Sequence, residues 1–263
     1  MKILFDNVLI DAAISTGDAS ANYPISNIVH AFLRKRYQSV GTDYDTIYIT
    51  LASVTAINCF FVSYSNTTQI VVRFYNASST LLRTDILYGA ANNKRYTTDG
   101  NLRVLTDGDI RITQEASDED SDATHFDSID VKKIEIDVYG ASGTYIGGIA
   151  AGEAEDFGDP MSPWEEPYID NSIVTASPYG QTLQQQIDPL RSYSWMIRDL
   201  TRDETNEIRD IYYMYGYGAR IWIDPFEDDH EFMLPFYSRL DAPPRIVKNG
   251  RRYDIEWQFR EAR

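Results

Sequence analysis

The chain has 263 residues, a formal net charge of −16 and a hydrophobic content of 43%. That length suits one large domain or two ordinary ones, and the apolar content is that of a globular protein rather than a disordered chain. The negative charge argues against nucleic-acid binding, which needs a basic surface, and against adhesion to an anionic membrane. No apolar run has the length of a membrane span, and Asp6 interrupts the apolar start before a signal-peptide core forms.

The chain up to about residue 140 predicts a β-sandwich. Short runs of β-branched and aromatic residues alternate with turn residues such as Asp107-Gly108. In the last run, apolar residues alternate with Lys133, Glu135 and Asp137, which indicates one buried face. The predicted strands are 46–51, 56–64, 70–75, 81–88, 102–112 and 131–139, with a candidate first strand within 6–14.

A bridge of small residues, 141–144, marks the predicted boundary between two domains, 1–140 and 145–263. Beyond it, 145–154 predicts a strand, and the acidic, proline-rich stretch 156–167 predicts a loop. A hairpin is expected next, with strands 169–177 and 180–187.

One helix is predicted at about 202–215. Thr201 and Glu204 stand three apart, so that each side chain can pair with a backbone N–H at the helix start. Ile208 and Ile211 recur on one helical face, and Gly216 ends the helix because it lacks a Cβ. Three further strands are predicted at 219–223, 232–240 and 252–259, the last entered through the tight-turn pair Asn249-Gly250.

Two blocks of like charge, within 115–130 and within 153–170, contain only acidic charges. A solvated loop is the default interpretation, and divalent-cation binding and docking to a basic partner remain open. Asp118, Asp120 and Asp122 have the spacing of the first ligands of a helix-loop-helix calcium site. Ala123 and Ile129 then replace the turn glycine and the bidentate glutamate, so the default for this segment is a disordered acidic loop.

The chain contains residue types that are used in catalysis, but their spacing matches no catalytic motif. Cys59 lies in an apolar run and is predicted to be a buried, inert thiol. His30, His125 and His230 are scattered, with no nucleophile-elbow pattern and no close metal-ligand spacing. No pair of acids is marked as a glycosidase pair. We therefore expect no enzyme activity, no cofactor and no metal site.

Three aromatic residues are candidates for a subunit interface. Tyr212 and Tyr215 share the apolar helix face and are expected in the core. Tyr213 and Tyr217 project elsewhere, and Trp164 lies on the acidic, proline-rich loop, where an exposed indole needs a partner.

The first half resembles the discoidin-like, or galactose-binding-like, jelly roll over about residues 5–140. The resemblance is carried by the Tyr-Pro-x-x-Asn pattern at 23–27, the basic-aromatic segment 34–37, and the runs 45–51, 56–62 and 70–75. It implies a β-sandwich that binds sugars or other surfaces through its end loops.

The second half resembles minor tail and tail-tip proteins of long-tailed bacteriophages over about residues 145–263. The resemblance rests on the order of the elements. A glycine-containing strand at 146–154 is followed by the segment 170–172, a hairpin at 180–181 and the segment 191–195 before the capped helix. The segments 237–240, 243–245 and 252–255 come last. It implies a tail-tube-like β-sandwich with one flanking helix, whose strand edges join subunits into a ring. In distal tail proteins the tube-like domain comes first, so the order here is reversed.

The expected function is that of a structural virion protein, assembled in the host cytoplasm, in a ring at the tail tip or baseplate. Its partners would be copies of itself, other tail proteins and host surface polysaccharide, with neither sequence-specific nucleic acid nor membrane insertion. The alternative is a carbohydrate-binding adhesin module anchored to the virion. A third hypothesis is an enzyme acting on envelope polysaccharide.

Overall fold

A computed structural model gives the fold, which is mainly antiparallel β-sheet with one α-helix in the part of the chain it describes. The described residues are 1–17, 19–29, 36–40, 44–87, 120–140, 143–158, 161–165, 168–169, 173–176, 182–185, 190–216, 220–226 and 235–262. The predicted strand 102–112 lies outside them.

The elements follow in chain order. The strands are β1 (Lys2–Leu4), β2 (Ala13–Thr16), β3 (Tyr37–Gln38), β4 (Tyr44–Ser65), β5 (Gln69–Tyr75), β6 (Leu81–Leu87), β7 (Asp120–Tyr139), β8 (Tyr145–Gly152), β9 (Glu155–Asp156), β10 (Met161–Glu165), β11 (Tyr168–Ile169), β12 (Ile173–Ala176), β13 (Thr182–Gln185), β14 (Leu190–Leu200), β15 (Arg220–Asp224), β16 (Phe236–Leu240), β17 (Arg245–Asn249) and β18 (Arg252–Glu261). A 3-10 helix, Ile25–Val29, precedes β3, and the α-helix, α1, is Arg202–Tyr215.

The chain divides into two compact units, and one is inserted into the sequence of the other. Residues 6–154 belong to the insert unit. Residues 1–5, 155–226 and 236–263 belong to the frame unit. This differs from the predicted division at 141–144, because β1 pairs with β15 and β9, whereas β8 pairs with β3 and β4. Strand pairing, which no local pattern reports, sets the boundary.

The insert unit is a sheet of strand order β3-β8-β4-β7-β5-β6, with β2 also paired to β4. The residues predicted as two strands, 46–51 and 56–64, form the single strand β4, whose pairing with β7 shifts register between Thr50 and Thr55. Its buried side chains, including Ile47, Ile49 and Phe60, form one apolar core. Besides pairing with each other, β4 pairs with β2 and β8, and β7 pairs with β5.

The frame unit has a nine-stranded sheet, in which seven strands have the order β10-β14-β18-β16-β15-β1-β9, β11 pairs with β14 and β17 pairs with β18. Its buried side chains are largely aromatic. Tyr193 stacks on Phe236 with 4.4 Å between ring centroids, and Trp195 lies 5.2 Å from Phe259. The predicted hairpin is present as the separate pair β12–β13. The tight turn at Asn249-Gly250 is confirmed between β17 and β18.

The helix is confirmed at its predicted bounds. The Thr201 hydroxyl accepts a hydrogen bond from the Glu204 N–H at 3.2 Å, and the Glu204 carboxylate accepts one from the Thr201 N–H at 2.6 Å. Ile208 and Ile211 are buried, as the pattern predicts. Gly216 follows with φ of 73°, a conformation that a residue without Cβ adopts readily.

Two predicted loops and one predicted strand differ from the structure. Asp120 opens β7 and Asp122, Asp127 and Asp130 lie within it, so this part of the acidic block is strand rather than disordered loop. Residues 156–167, predicted as a loop, include the end of β9 and all of β10. The candidate first strand within 6–14 is instead mostly turn, with β2 beginning at Ala13. Cross-strand pairing with β4 outweighs the weak strand propensity of the acids in β7.

A buried isoleucine near the start of the chain tests the insertion. Ile3 is fully buried on β1, so Ile3→Ala should lower the free energy of unfolding of the frame unit by about 2–5 kcal/mol. The measurement is urea unfolding followed by tryptophan fluorescence, because all four tryptophans (Trp164, Trp195, Trp222 and Trp257) belong to the frame unit.

Ile10→Ala is the control, since Ile10 is 62% exposed in the insert unit and its loss should change the free energy by less than about 0.5 kcal/mol. An unchanged tryptophan transition in Ile3→Ala would mean that β1 is no part of the frame unit.

Candidate functional site

The sheet of the insert unit has one face crowded with tyrosine and charge. Along β4, Ile47 and Ile49 are buried in the core, whereas Tyr44 and Tyr48, on the opposite face, are 57% and 50% exposed. The neighbouring strands β7 and β5 place polar residues beside them. We call this surface the tyrosine face, and its members are Tyr44, Thr46, Tyr48, Arg73, Tyr75, Glu135, Asp137 and Tyr139.

An ion pair lies at the centre of the tyrosine face. Arg73 Nη1 donates to Asp137 Oδ2 at 2.6 Å, and Thr46 Oγ1 donates to Asp137 Oδ1 at 2.9 Å. The hydrogen bond to Asp137 raises the pKa of Arg73 above its usual value, although burial acts to lower it. Both oxygens of Asp137 are therefore engaged by positioned donors, which fixes its carboxylate.

A second polar pair lies two residues further along each strand, on the same face. Tyr75 donates its hydroxyl hydrogen to Glu135 Oε2 at 2.9 Å. Burial raises the pKa of Tyr75, and the hydrogen bond to Glu135 raises it further. Glu135 also stands opposite Tyr48 in the β4–β7 ladder, so this pair adjoins an exposed ring.

The aromatic rings lie at two places along the face. Tyr44 stacks on Tyr139 with 5.9 Å between ring centroids and 24° between ring planes. Tyr48 follows four residues after Tyr44 on the same strand, which corresponds to about 13 Å of extended chain. The face thus offers two separated aromatic surfaces with hydrogen-bonding groups between them.

A cavity of about 390 Å³ lies elsewhere on the insert unit. It is lined by Val54, Asn76, Ala77, Ser78, Leu82, Ile129 and Asp130. Asn76 Oδ1 accepts hydrogen bonds from the backbone N–H groups of Ser78 and Thr80, each at 2.9 Å, so this amide oxygen already holds the turn between β5 and β6. The cavity is therefore a weaker candidate than the tyrosine face.

The structure does not bring the three predicted interface residues together. Tyr213 is 74% exposed on α1, and its neighbour Met214 is equally exposed. Trp164 lies on β10, at the end of the strand order of the frame sheet. Tyr217 lies outside the described residues.

The residues considered for catalysis remain dispersed. Cys59 is fully buried and its Sγ contacts the carbonyl oxygen of Gly152 at 3.3 Å, which confirms the buried thiol. His125 lies on β7 with its ring edge-on to Phe61 at 5.5 Å. His30 and His230 lie outside the described residues. Within the described part of the chain, no cluster of three His, Cys, Asp or Glu residues could hold a metal ion, and no helix could cross a membrane.

No protein-family model and no curated protein matches the chain. Among solved structures, chitosan-binding module 1 of a chitosanase/glucanase from Paenibacillus sp. IK-5 is 14% identical, with a TM-score of 0.39 over 56% of this chain and 99% of that one. A mutant lectin binding domain of Lectinolysin, complexed with Lewis b, is 6% identical, with a TM-score of 0.41 over 57% and 96%. A Streptococcus pneumoniae fucose binding module is 8% identical, with a TM-score of 0.40 over 57% and 99%.

These three proteins are carbohydrate-binding or lectin modules by name. The resemblance of the second half of the chain to phage tail proteins stays a prediction.

The pairing of Tyr75 with Glu135 predicts a pH dependence. Because the pKa of Tyr75 is raised in the folded state, its contribution to stability is fully present below the unfolded tyrosine value of about 10 and is lost as pH rises through the folded value. The ionisation is measured by NMR of labelled tyrosine rings, with Tyr75→Phe to assign the signal. Glu135→Gln should lower the Tyr75 pKa, and an unchanged pKa in that variant would contradict the role given to Glu135.

Proposed function

We propose that this protein is a carbohydrate-binding protein in which the tyrosine face of the insert unit binds a polysaccharide. The observation that carries the proposal is the exposure of Tyr44 and Tyr48 on one face of a rigid strand, with a fixed ion pair beside them. The frame unit attaches this binding surface to a larger assembly.

The exposed rings fit the apolar side of a sugar. A pyranose has a face of C–H groups, which packs on an aromatic ring, and a rim of hydroxyl groups, which needs hydrogen-bond partners. Tyrosine provides a flat apolar surface together with a hydroxyl group at low cost in side-chain entropy. Tyr44 is also steadied by its stacking on Tyr139, so less conformational freedom is lost on binding.

The polar groups of the face fit the hydroxyl rim. Arg73 has further N–H donors beyond the bond to Asp137, and carboxylate oxygens accept more than one hydrogen bond. Because Asp137 is held by Arg73 and Thr46, its position is set before a ligand arrives. We include in the proposal that the protein is not an enzyme.

A glycan microarray probed with the full chain tests the proposal. Wild type should bind a subset of surface polysaccharides, and Tyr48→Ala should weaken that binding about two- to tenfold, since one aromatic contact is worth about 0.5–1.5 kcal/mol. Tyr213→Ala is the matched control, because it removes a tyrosine at least as exposed from the frame unit. Equal binding by wild type and Tyr48→Ala, or no binding by wild type, would count against the proposal.

A second candidate, a ring-forming structural subunit of a phage tail tip, concerns the assembly that carries the insert unit. The observation that favours it is the pair Tyr213 and Met214, two large side chains exposed together at the end of α1. Aromatic residues and methionine are enriched in subunit interfaces. One such contact, repeated around a closing rotation, builds a ring without any further specific surface.

Light scattering on the purified protein measures the ring directly. A closed oligomer is expected, and Met214→Asp should shift it to monomer because a charge would be buried in the contact. Ile10→Asp, a change of similar exposure in the insert unit, should leave the oligomer intact. A monomer at every concentration of wild type would remove the ring from the proposal while leaving glycan binding untouched.

A further inference from the structure

One arginine of the insert unit lies over two tyrosine rings. The Arg36 guanidinium carbon lies 4.0 Å from the ring centroid of Tyr145 and 5.6 Å from that of Tyr23. Both distances are within the range of cation–π attraction, about 6 Å. Cation–π attraction acts on the charge of the guanidinium and does not require its five N–H donors.

The backbone around Arg36 is also fixed. Asn27 Nδ2 donates to the Arg36 carbonyl oxygen at 3.1 Å, and the next residues begin β3, which pairs with the start of β8. Gln38 N–H donates to the Tyr23 carbonyl oxygen at 3.3 Å, which joins the Tyr23 loop to β3. The three residues therefore come from segments that hydrogen bonds hold together.

Arg36 differs from three other arginines of the chain in its electrostatic surroundings. Arg73, Arg83 and Arg260 each lie 2.6–2.7 Å from a carboxylate oxygen. Among the described residues, Arg36 has no carboxylate partner within ion-pair distance, although the chain carries 40 acidic residues. A half-buried guanidinium in so acidic a protein, with no carboxylate of the described residues paired to it, is suited to a ligand that brings one.

The Arg36 cluster lies at the same end of the sandwich as part of the tyrosine face. Asn66 N–H donates to the Tyr145 carbonyl oxygen at 3.3 Å, and Thr68 N–H, two residues on, donates to the Tyr139 carbonyl oxygen at 2.9 Å. Tyr139 is the residue on which Tyr44 stacks. The end of β7 and the start of β8 are thus joined by one short segment.

We propose that Arg36, which lies over the rings of Tyr23 and Tyr145, binds the carboxylate of an acidic sugar, so that the polysaccharide recognised by this protein contains uronic acid residues. This inference rests on the proposed function and specifies its ligand. A guanidinium matches a carboxylate with two parallel hydrogen bonds, and its orientation here is set before binding. A net charge of −16 repels polyanions in general, so retention of an acidic polysaccharide requires a local, positioned cation of this kind.

The test compares uronic-acid oligosaccharides with the same oligosaccharides after carboxyl reduction, which removes the charge and keeps the chain. The probes are oligomers of galacturonate, glucuronate-containing hyaluronan and alginate, titrated into the full-length protein by calorimetry. At least one should bind wild type about tenfold or more tightly than its reduced form, as expected for a charge-assisted hydrogen-bonded pair. Arg36→Lys, which keeps the charge and loses the planar fork, should lose most of that preference.

Arg83→Gln is the matched control. Arg83 also lies over an aromatic ring, with its guanidinium carbon 4.5 Å from the Phe126 centroid, but it is already paired with Asp85 at 2.7 Å. This variant should keep the wild-type preference for the acidic form. Circular dichroism and the thermal midpoint of each variant separate loss of binding from loss of folding. Arg36→Lys is chosen because it retains a cation beside the two rings.

The outcomes separate the two proposals. If neutral glycans bind and Tyr48→Ala weakens them, but no acidic form is preferred over its reduced form, the proposed function stands and the carboxylate site is wrong. A preference that survives in Arg36→Lys also overturns it. If acidic and reduced forms bind equally well and Tyr48→Ala has no effect on either, both proposals fail.

Discussion

The insert unit depends on one pair of strands that are long enough to change direction. β4 has 22 residues and β7 has 20, and their antiparallel ladder runs from Tyr44 opposite Tyr139 to Ser65 opposite Asp120. The register shifts between Thr50 and Thr55, and Lys132 Nζ donates to the carbonyl oxygens of Leu51 and Ala52 at 2.7 and 2.8 Å. An ammonium group thus satisfies two carbonyl groups where the ladder is interrupted. A strand can bend at such an irregularity, so the β4–β7 pair can continue from one part of the sandwich into another. The outer face of the β4–β7–β5 part stays regular.

Each unit has hydrogen bonds that join the chain segments at which the insertion begins and ends. In the frame unit, Lys2 pairs with Asp156 across β1 and β9, and the Met1 ammonium donates to the Gly158 carbonyl oxygen at 2.6 Å. Although burial acts to raise it, the pKa of Asp156 is lowered by the Gly158 N–H and by Lys2.

In the insert unit, the side chain of Asn7 joins the first residues of the unit to β8. Asn7 donates to the Ile149 carbonyl oxygen at 3.0 Å and accepts from the Ala151 N–H at 3.1 Å. A domain whose two chain ends lie side by side can be inserted at a surface turn of another domain without straining either. The frame unit therefore keeps its first strand although about 150 residues separate Leu4 from Glu155.

Local chemistry explains which parts of this fold could be predicted from the sequence. The helix bounds are encoded in Thr201, Glu204 and Gly216, which act within one turn of the residues they cap, and both ends are confirmed. The alternation at 131–139 likewise predicts which side chains of β7 are buried. The tyrosine face could not be predicted, because Tyr48 and Glu135 meet only through strand pairing across 87 positions of sequence. The same reason applies to the domain boundary, since the three residues of β1 carry no signal of the strands they join in the frame unit.

Charge connects the fold to its proposed ligand. On the tyrosine face, Asp137 is paired with the cationic Arg73, which weakens its repulsion of an anion, and Glu135 accepts a hydrogen bond from the neutral Tyr75 hydroxyl. Neutral hydroxyl groups suit such a surface, since they both donate and accept. Arg36 differs, because its partners in the structure are two ring faces, which attract a cation without neutralising it. A positive charge that is oriented but not cancelled keeps its attraction for an anion, whereas the same charge in an ion pair has largely lost it. Selectivity for an acidic sugar would then come from the geometry of this one guanidinium, while the tyrosine rings supply contact area to any sugar of suitable shape.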